Sequence, residues 1–197
     1  PPPSRRTHAG RRHPARPRRW AIGAYFQGVQ GLSTLGEMHV RRGHYIGVAP
    51  LPGGLANACV VSVDRAALRK PEALLIDSVR TDPALAGRFA TARLVAPPVC
   101  VGPLAVECAV PGLDGLLLAG DAAGFIDPIF STGVYLGMKS AFELFKAIET
   151  YSPRALKKYD RERHWELEIW QGVIQSWYNG RLFNLYRAGQ KYQNHLI

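Results

Sequence analysis

A chain of 197 residues, 47% of them apolar, can bury a real core, and this excludes disorder throughout. The net charge of +10 is concentrated in seven Arg within the first twenty residues, where no acid occurs, so it gives no general case for an acidic partner. No uninterrupted run of about eighteen apolar residues exists, so no transmembrane segment is expected.

The opening stretch, residues 1–19, reads PPPSRRTHAGRRHPARPRR. Pro and Arg without apolar periodicity predict a disordered basic segment. It lacks interleaved aromatics and a recognisable nucleic-acid fold, so no specific nucleic-acid partner is expected. It is not a signal peptide, because no apolar run precedes a small-residue cleavage site. Cys59, Cys100 and Cys108 have no CxxC spacing and fit neither a disulfide framework nor a zinc site. A reducing compartment follows, and with it a cytoplasmic protein, soluble or peripheral to a membrane. His39 and His44 flank an expected turn and read as hairpin residues rather than metal ligands.

From Trp20 the text becomes strand-like: WAIGAYFQG, GEMHV, HYIGVAPL and ANACVVSV. Arg41, Arg42 and Gly43 form a three-residue connection whose Gly suits a bulged hairpin, and residues 20–110 are expected to be an antiparallel sheet with a helical insert. Within the insert, Asp64 is a candidate N-cap and Asp82-Pro83 opens a second short helix. VAPPVCVGPLAVECAV then returns to extended structure, because its three Pro forbid a helix.

Residues 111–150 contain LLLAGD, an unbroken apolar run that reads as a strand buried on both faces, then the loop AAGFIDPIFST. GVYLGMKSAFELFKAIETY follows, with apolar residues at 134, 138, 141, 142, 145 and 148, the spacing of one helical face. Ser152-Pro153 caps and starts a further long helix within residues 151–197. The order predicts an α+β fold: a sheet, then a strand-loop-helix, then terminal helices.

Chemistry concentrates at Gly120-Asp121. Gly120 lets another molecule approach the backbone, Asp121 can accept hydrogen bonds from hydroxyls, and Ala122 adds no obstruction. The helix start Thr132-Gly133-Val134 offers free amides and the positive end of a dipole to an electron-rich oxygen. A phosphate loop is excluded, because GxxxxGK[ST] is absent.

The string GDAAGFIDPIFSTGVYLGMKSA resembles the second FAD-binding motif of FAD-dependent oxidoreductases of the para-hydroxybenzoate hydroxylase type, in the branch shared by geranylgeranyl reductases and flavin-dependent halogenases. The resemblance implies a partial FAD/NAD(P)-binding fold. It implies that Asp121 bonds the ribityl chain, that the amides of Gly133 and Val134 face the pyrimidine edge, and that Pro128 lies beside the ring. GEMHVRRGHYIGVAPLPGG is similar to the same branch and implies that Tyr45, Val48, Ala49 and Pro50 line the substrate side. For Tyr45, a place in the sheet core is the equal alternative.

The family's GxGxxG fingerprint appears nowhere in these residues, so the adenosine half of the cofactor site is expected from an N-terminal FAD-binding portion that this chain lacks. The resemblance implies an FAD-dependent monooxygenase acting on an apolar or aromatic small molecule, with NAD(P)H as reductant. Its alternatives are a geranylgeranyl reductase-like reductase, a flavin-dependent halogenase, or a non-catalytic remnant. No catalytic residue can be assigned.

Overall fold

The computed structural model describes residues 11–12, 18–63, 67–108, 112–113, 116–150, 152–178 and 181. Along the chain run β1 (Arg11–Arg12), β2 (Trp20–Gln27), β3 (Glu37–Arg41), β4 (His44–Leu51), β5 (Leu55–Ser62), α1 (Pro71–Thr81) and α2 (Ala86–Phe89). They are followed by β6 (Arg93–Leu94), β7 (Val99–Val101), β8 (Val106–Cys108), β9 (Gly112–Leu113), β10 (Leu116–Leu117), β11 (Gly124–Phe125), α3 (Gly133–Thr150) and α4 (Pro153–Tyr178). The fold is α+β with antiparallel pairing, and the chain divides into two units: residues 17–104 with 177–197, and residues 1–16 with 105–176.

In the first of these units the sheet order is β3-β4-β5-β2-β6, with β7 also on β2. Strand alternation sends Ile22, Ala24, Phe26, Ile46, Val48, Ala56, Ala58 and Val60 to one face, where Leu75 and Val79 of α1 and Phe89 of α2 cover them. Phe89 meets Phe26 edge to face, with centroids 5.3 Å apart. The hairpin between β3 and β4 pairs Arg41 with His44, so its connection is Arg42-Gly43, two residues rather than the expected three, with Gly43 at φ 84°.

Charged residues of the edge strand β3 reach towards the helices. Arg41 donates to both oxygens of Asp82, at 2.6 and 2.9 Å, and Arg88 donates to both oxygens of Glu37, at 2.6 and 2.8 Å. Asp82 does not open a helix directly. Its carboxylate accepts the Ala84 N–H and its carbonyl accepts those of Leu85 and Ala86, so a turn intervenes and α2 begins at Ala86. Asp64 lies outside the described residues.

The second unit contains the small sheet β1-β8-β11 and the hairpin β9-β10. Arg11 and Arg12 pair with Cys108 and Glu107, which corrects the expectation of disorder at these two positions: backbone pairing needs no apolar periodicity. The rest of residues 1–17 lies outside the described residues. The buried strand expected at LLLAGD is also corrected. Among the described residues it is the two-residue β10, paired only with β9, and Leu116 is exposed.

Helix α4 starts as the sequence indicates, with the Ser152 hydroxyl accepting the Ala155 N–H and Pro153 in the first turn. Its buried face up to residue 176 is Tyr159, Arg163, Leu167 and Ile174. Trp165 and Ile169 are exposed. Tyr159 joins Leu144 and Ala147 of α3 in a small cluster with Leu117 and Leu156 at its edge. The apolar stripe of α3 faces outwards: Val134, Met138, Phe142, Phe145 and Ile148 are all exposed, as is Tyr135. Among the described residues no helix is long and apolar enough to cross a membrane.

Candidate functional site

The chain leaves β10 as extended Leu118-Ala119 and turns sharply at Gly120, which opens a 3₁₀ turn over Gly120–Ala122 at φ 56°. A side chain there would be strained, and the open backbone is used: the Gly120 N–H donates to the Ser140 hydroxyl of α3 at 2.7 Å, and the turn approaches Gly137 closely. Asp121 is thereby carried to an exposed position beside the start of α3. Its Oδ1 stands 4.0 Å from where a Cβ on Gly133 would lie, so glycine at 133 keeps the space between carboxylate and helix terminus open.

The approach to α3 is built from Asp127, fully buried, whose carboxylate accepts the Ile129 N–H at 3.1 Å. Pro128 follows and is exposed. Ser131 takes a left-handed conformation, φ 53°, with its N–H on the Pro128 carbonyl, a local strain of about 1–3 kcal/mol held by the surrounding turns. Thr132 then serves as the N-cap residue, since its carbonyl accepts the Leu136 N–H at 2.9 Å. Its hydroxyl is buried and has no hydrogen-bond partner among the described residues, so it does not fold back to cap the helix. The first amides of α3, at Gly133, Val134 and Tyr135, are those a helix leaves without internal acceptors.

Asp121 therefore offers an acceptor for hydroxyl groups, Thr132 a spare hydroxyl, and the α3 terminus a set of amide donors biased towards negative charge. The loop thus brings together Gly120, Asp121, Ala122, Thr132, Gly133 and Val134.

In the sheet unit, Val48 needs correcting. Strand alternation turns it with Ile46 into the core beneath α1 and α2, at 2% exposure, where nothing can reach it. Pro50 shares that parity, while Tyr45 and Ala49 point to the opposite face. Tyr45 is itself buried and meets the ring of Tyr178, which lies under the Arg19 guanidinium at 4.0 Å. Near the middle of that face Cys59 sits between Gly23 and Gly47 in the ladder, and burial pushes its thiol up to about 11.

Sequence reasoning missed the residues that hold the Asp121 loop. Ser140 was hidden on the small-residue side of α3. Tyr159 donates to the Leu118 carbonyl at 2.9 Å and Arg163 to the Ala123 carbonyl at 3.0 Å. The available signal was an Arg inside an apolar helical face, Tyr159-Arg163-Leu167, because a cation placed there needs polar partners. A cavity of about 620 Å³ lies beside the loop between α3 and α4, lined by Gly120, Leu136, Lys139, Ser140, Trp165 and Trp170 among others. The Lys139–Glu166 ion pair, 2.8 Å, stands at this cavity and raises the pKa of Lys139, chiefly through the hydrogen bond to Glu166.

A family model described as tryptophan halogenase matches residues 113–182, the stretch that contains this loop, α3 and α4. Among solved structures, a triple mutant of the flavin-dependent brominase Bmp2 superposes with a TM-score of 0.76 at 20% identity, over 94% of this chain and 51% of that one. CmlS, a flavin-dependent halogenase, gives 0.73 at 21% over 88% and 34%, and the myxobacterial chondrochloren halogenase CndH gives 0.68 at 23% over 80% and 40%. At these identities the likeness establishes the fold. The chain spans about half or less of the length of these structures. No curated protein sequence matches it.

Proposed function

We propose that this chain carries the flavin-facing part of an FAD-dependent halogenase acting on an aromatic or other apolar small molecule. The observation that carries the proposal is the uncapped α3 terminus with the Asp121 carboxylate beside it, within the segment matched by the tryptophan halogenase model. The donor set fits a flavin: Asp121 accepts from the ribityl hydroxyls, and the Gly133 and Val134 amides donate to the electron-rich pyrimidine edge. The redox chemistry, electron uptake from an NAD(P)H-derived reductant and activation of dioxygen, belongs to the cofactor when bound. The chain's own task is to hold and orient it while the half-charge of the helix terminus favours the reduced, anionic ring.

Hydroxylation, which the resemblance put first, is the weaker alternative, because both the family match and the structural neighbours named above bear the halogenase description. The adenosine end is assigned to a dinucleotide-binding half, the kind of partner that also suits the exposed apolar stripe of α3.

The test uses the chain joined to its FAD-binding half, supplied with reductant, oxygen, bromide or chloride and an aromatic substrate, with products read by mass spectrometry. A halogenated product is expected. Oxygen insertion alone, independent of halide, would transfer the assignment to hydroxylation, and alkene saturation would transfer it to a reductase. Asp121→Ala should weaken FAD binding about tenfold, the loss of one charge-assisted hydrogen bond, with little change in melting temperature.

A further inference from the structure

The backbone from Leu118 to Gly124 has few regular partners of its own. It leaves β10, makes a 3₁₀ turn and enters β11, with Gly120 at φ 56° and Gly124 at φ 156°. Carbonyls in such a path need hydrogen-bond donors from elsewhere if they are shielded from water. Two are taken by one face of α4. Tyr159 Oη donates to the Leu118 carbonyl at 2.9 Å, before Asp121, and Arg163 Nη1 donates to the Ala123 carbonyl at 3.0 Å, after it.

Four residues apart, the two side chains stand one helical turn from each other, about 6 Å along the axis, so they grip the loop at its entry and its exit. Tyr159 is 4% and Arg163 9% exposed, and burial pushes the Tyr159 phenol up, keeping it a neutral donor at ordinary pH. Arg163 Nη2 also meets Asp160 at 3.2 Å. The fit is tight: a Cβ on Gly124 would lie 3.0 Å from the Val106 carbonyl, 3.2 Å from Leu167 and 3.3 Å from Arg163 Nη1. From the other side Ser140 holds the Gly120 N–H. Asp121 is thus the free point of a loop moored on two helices.

We propose that Tyr159 and Arg163 are positioning residues that hold the Asp121 loop in register with the α3 terminus and so set the affinity for flavin. This rests on the flavin reading of the loop. An Arg kept within a buried apolar face carries a desolvation cost that a Leu there would avoid, and one of the hydrogen bonds it gains falls on this loop.

The experiment compares the chain joined to its FAD-binding half with the same protein carrying Tyr159→Phe, Arg163→Gln or Arg163→Lys. FAD itself is titrated by the change in its fluorescence, and hydrogen exchange of the 118–125 backbone is followed without flavin. Tyr159→Phe keeps the ring and should weaken FAD binding about fivefold, and Arg163→Gln about tenfold or more, with Arg163→Lys recovering part of the loss. Exchange at 118–125 should rise in the Phe and Gln variants while the β2, β4 and β5 amides stay protected, which separates loosening of the loop from unfolding. Unchanged exchange at 118–125 would overturn the clamp. Faster exchange with unchanged FAD affinity would overturn the positioning role. If the wild-type chain joined to its FAD-binding half takes up no FAD at any concentration, the flavin reading falls and the positioning role falls with it, whereas the exchange data still report whether the clamp exists.

Discussion

The sheet beneath α1 and α2 and the outward face of α3 have equally regular apolar patterns and opposite fates. In the sheet, Ile22, Ala24 and Phe26 of β2, Ile46 and Val48 of β4, and Ala56, Ala58 and Val60 of β5 disappear into a core closed by Leu75, Val79 and Phe89. On α3, Val134, Met138, Phe142, Phe145 and Ile148 follow the helical period just as well, yet they stand exposed at 77, 71, 58, 57 and 47%. Periodicity says which residues share a face. It says nothing about what covers that face, and a stripe of this kind marks a surface made for contact.

The contrast breaks first under truncation of the sheet core. Phe89→Ala should cost about 3–5 kcal/mol in urea unfolding of the sheet unit, because it removes both the burial and the edge-to-face contact with Phe26. A loss under about 1 kcal/mol would mean that α2 is not a fixed lid.

Acid should act on the same unit more gently. Hydrogen bonding from Arg88 is the largest cause that brings the Glu37 carboxyl down from 4.5 to about 2. A lowered folded-state pKa adds stability that is complete above about 4.5 and is lost as pH falls towards 2. Melting temperature should therefore decline across that window, and Arg88→Gln should flatten this part of the decline. A variant that retains the full slope would assign the acid sensitivity to other carboxylates.

The smallest effect on stability belongs to α3. Replacing Phe142 and Phe145 by Ser should shift unfolding by no more than about 0.5 kcal/mol each while weakening association with the FAD-binding half in sedimentation experiments. A core-sized loss would show that the stripe is covered in solution.

Local pattern reached a good part of this architecture. The Gly43 hairpin, the Ser152-Pro153 start of α4 and the Thr132-Gly133 start of α3 each depend on residues within a few positions, and each is legible in the text. What failed was non-local. Val48 and Ala49 look alike as neighbours in a strand, but the register with β5 and the placement of α1 send them to opposite faces. LLLAGD reads as a buried strand, and only the absence of a covering neighbour among the described residues leaves Leu116 exposed.

The sequence by itself determined the α+β order and marked the GDAAGFIDPIFSTG segment as the candidate site, with its donors and acceptors. These follow from backbone preferences and from the donors and acceptors each side chain carries. Tertiary structure alone decided that Tyr159 and Arg163 close on carbonyls 41 and 40 residues away, that Ser140 holds Gly120, and that the α3 stripe is left outward. Such contacts depend on how distant segments meet in space, which no local spacing encodes.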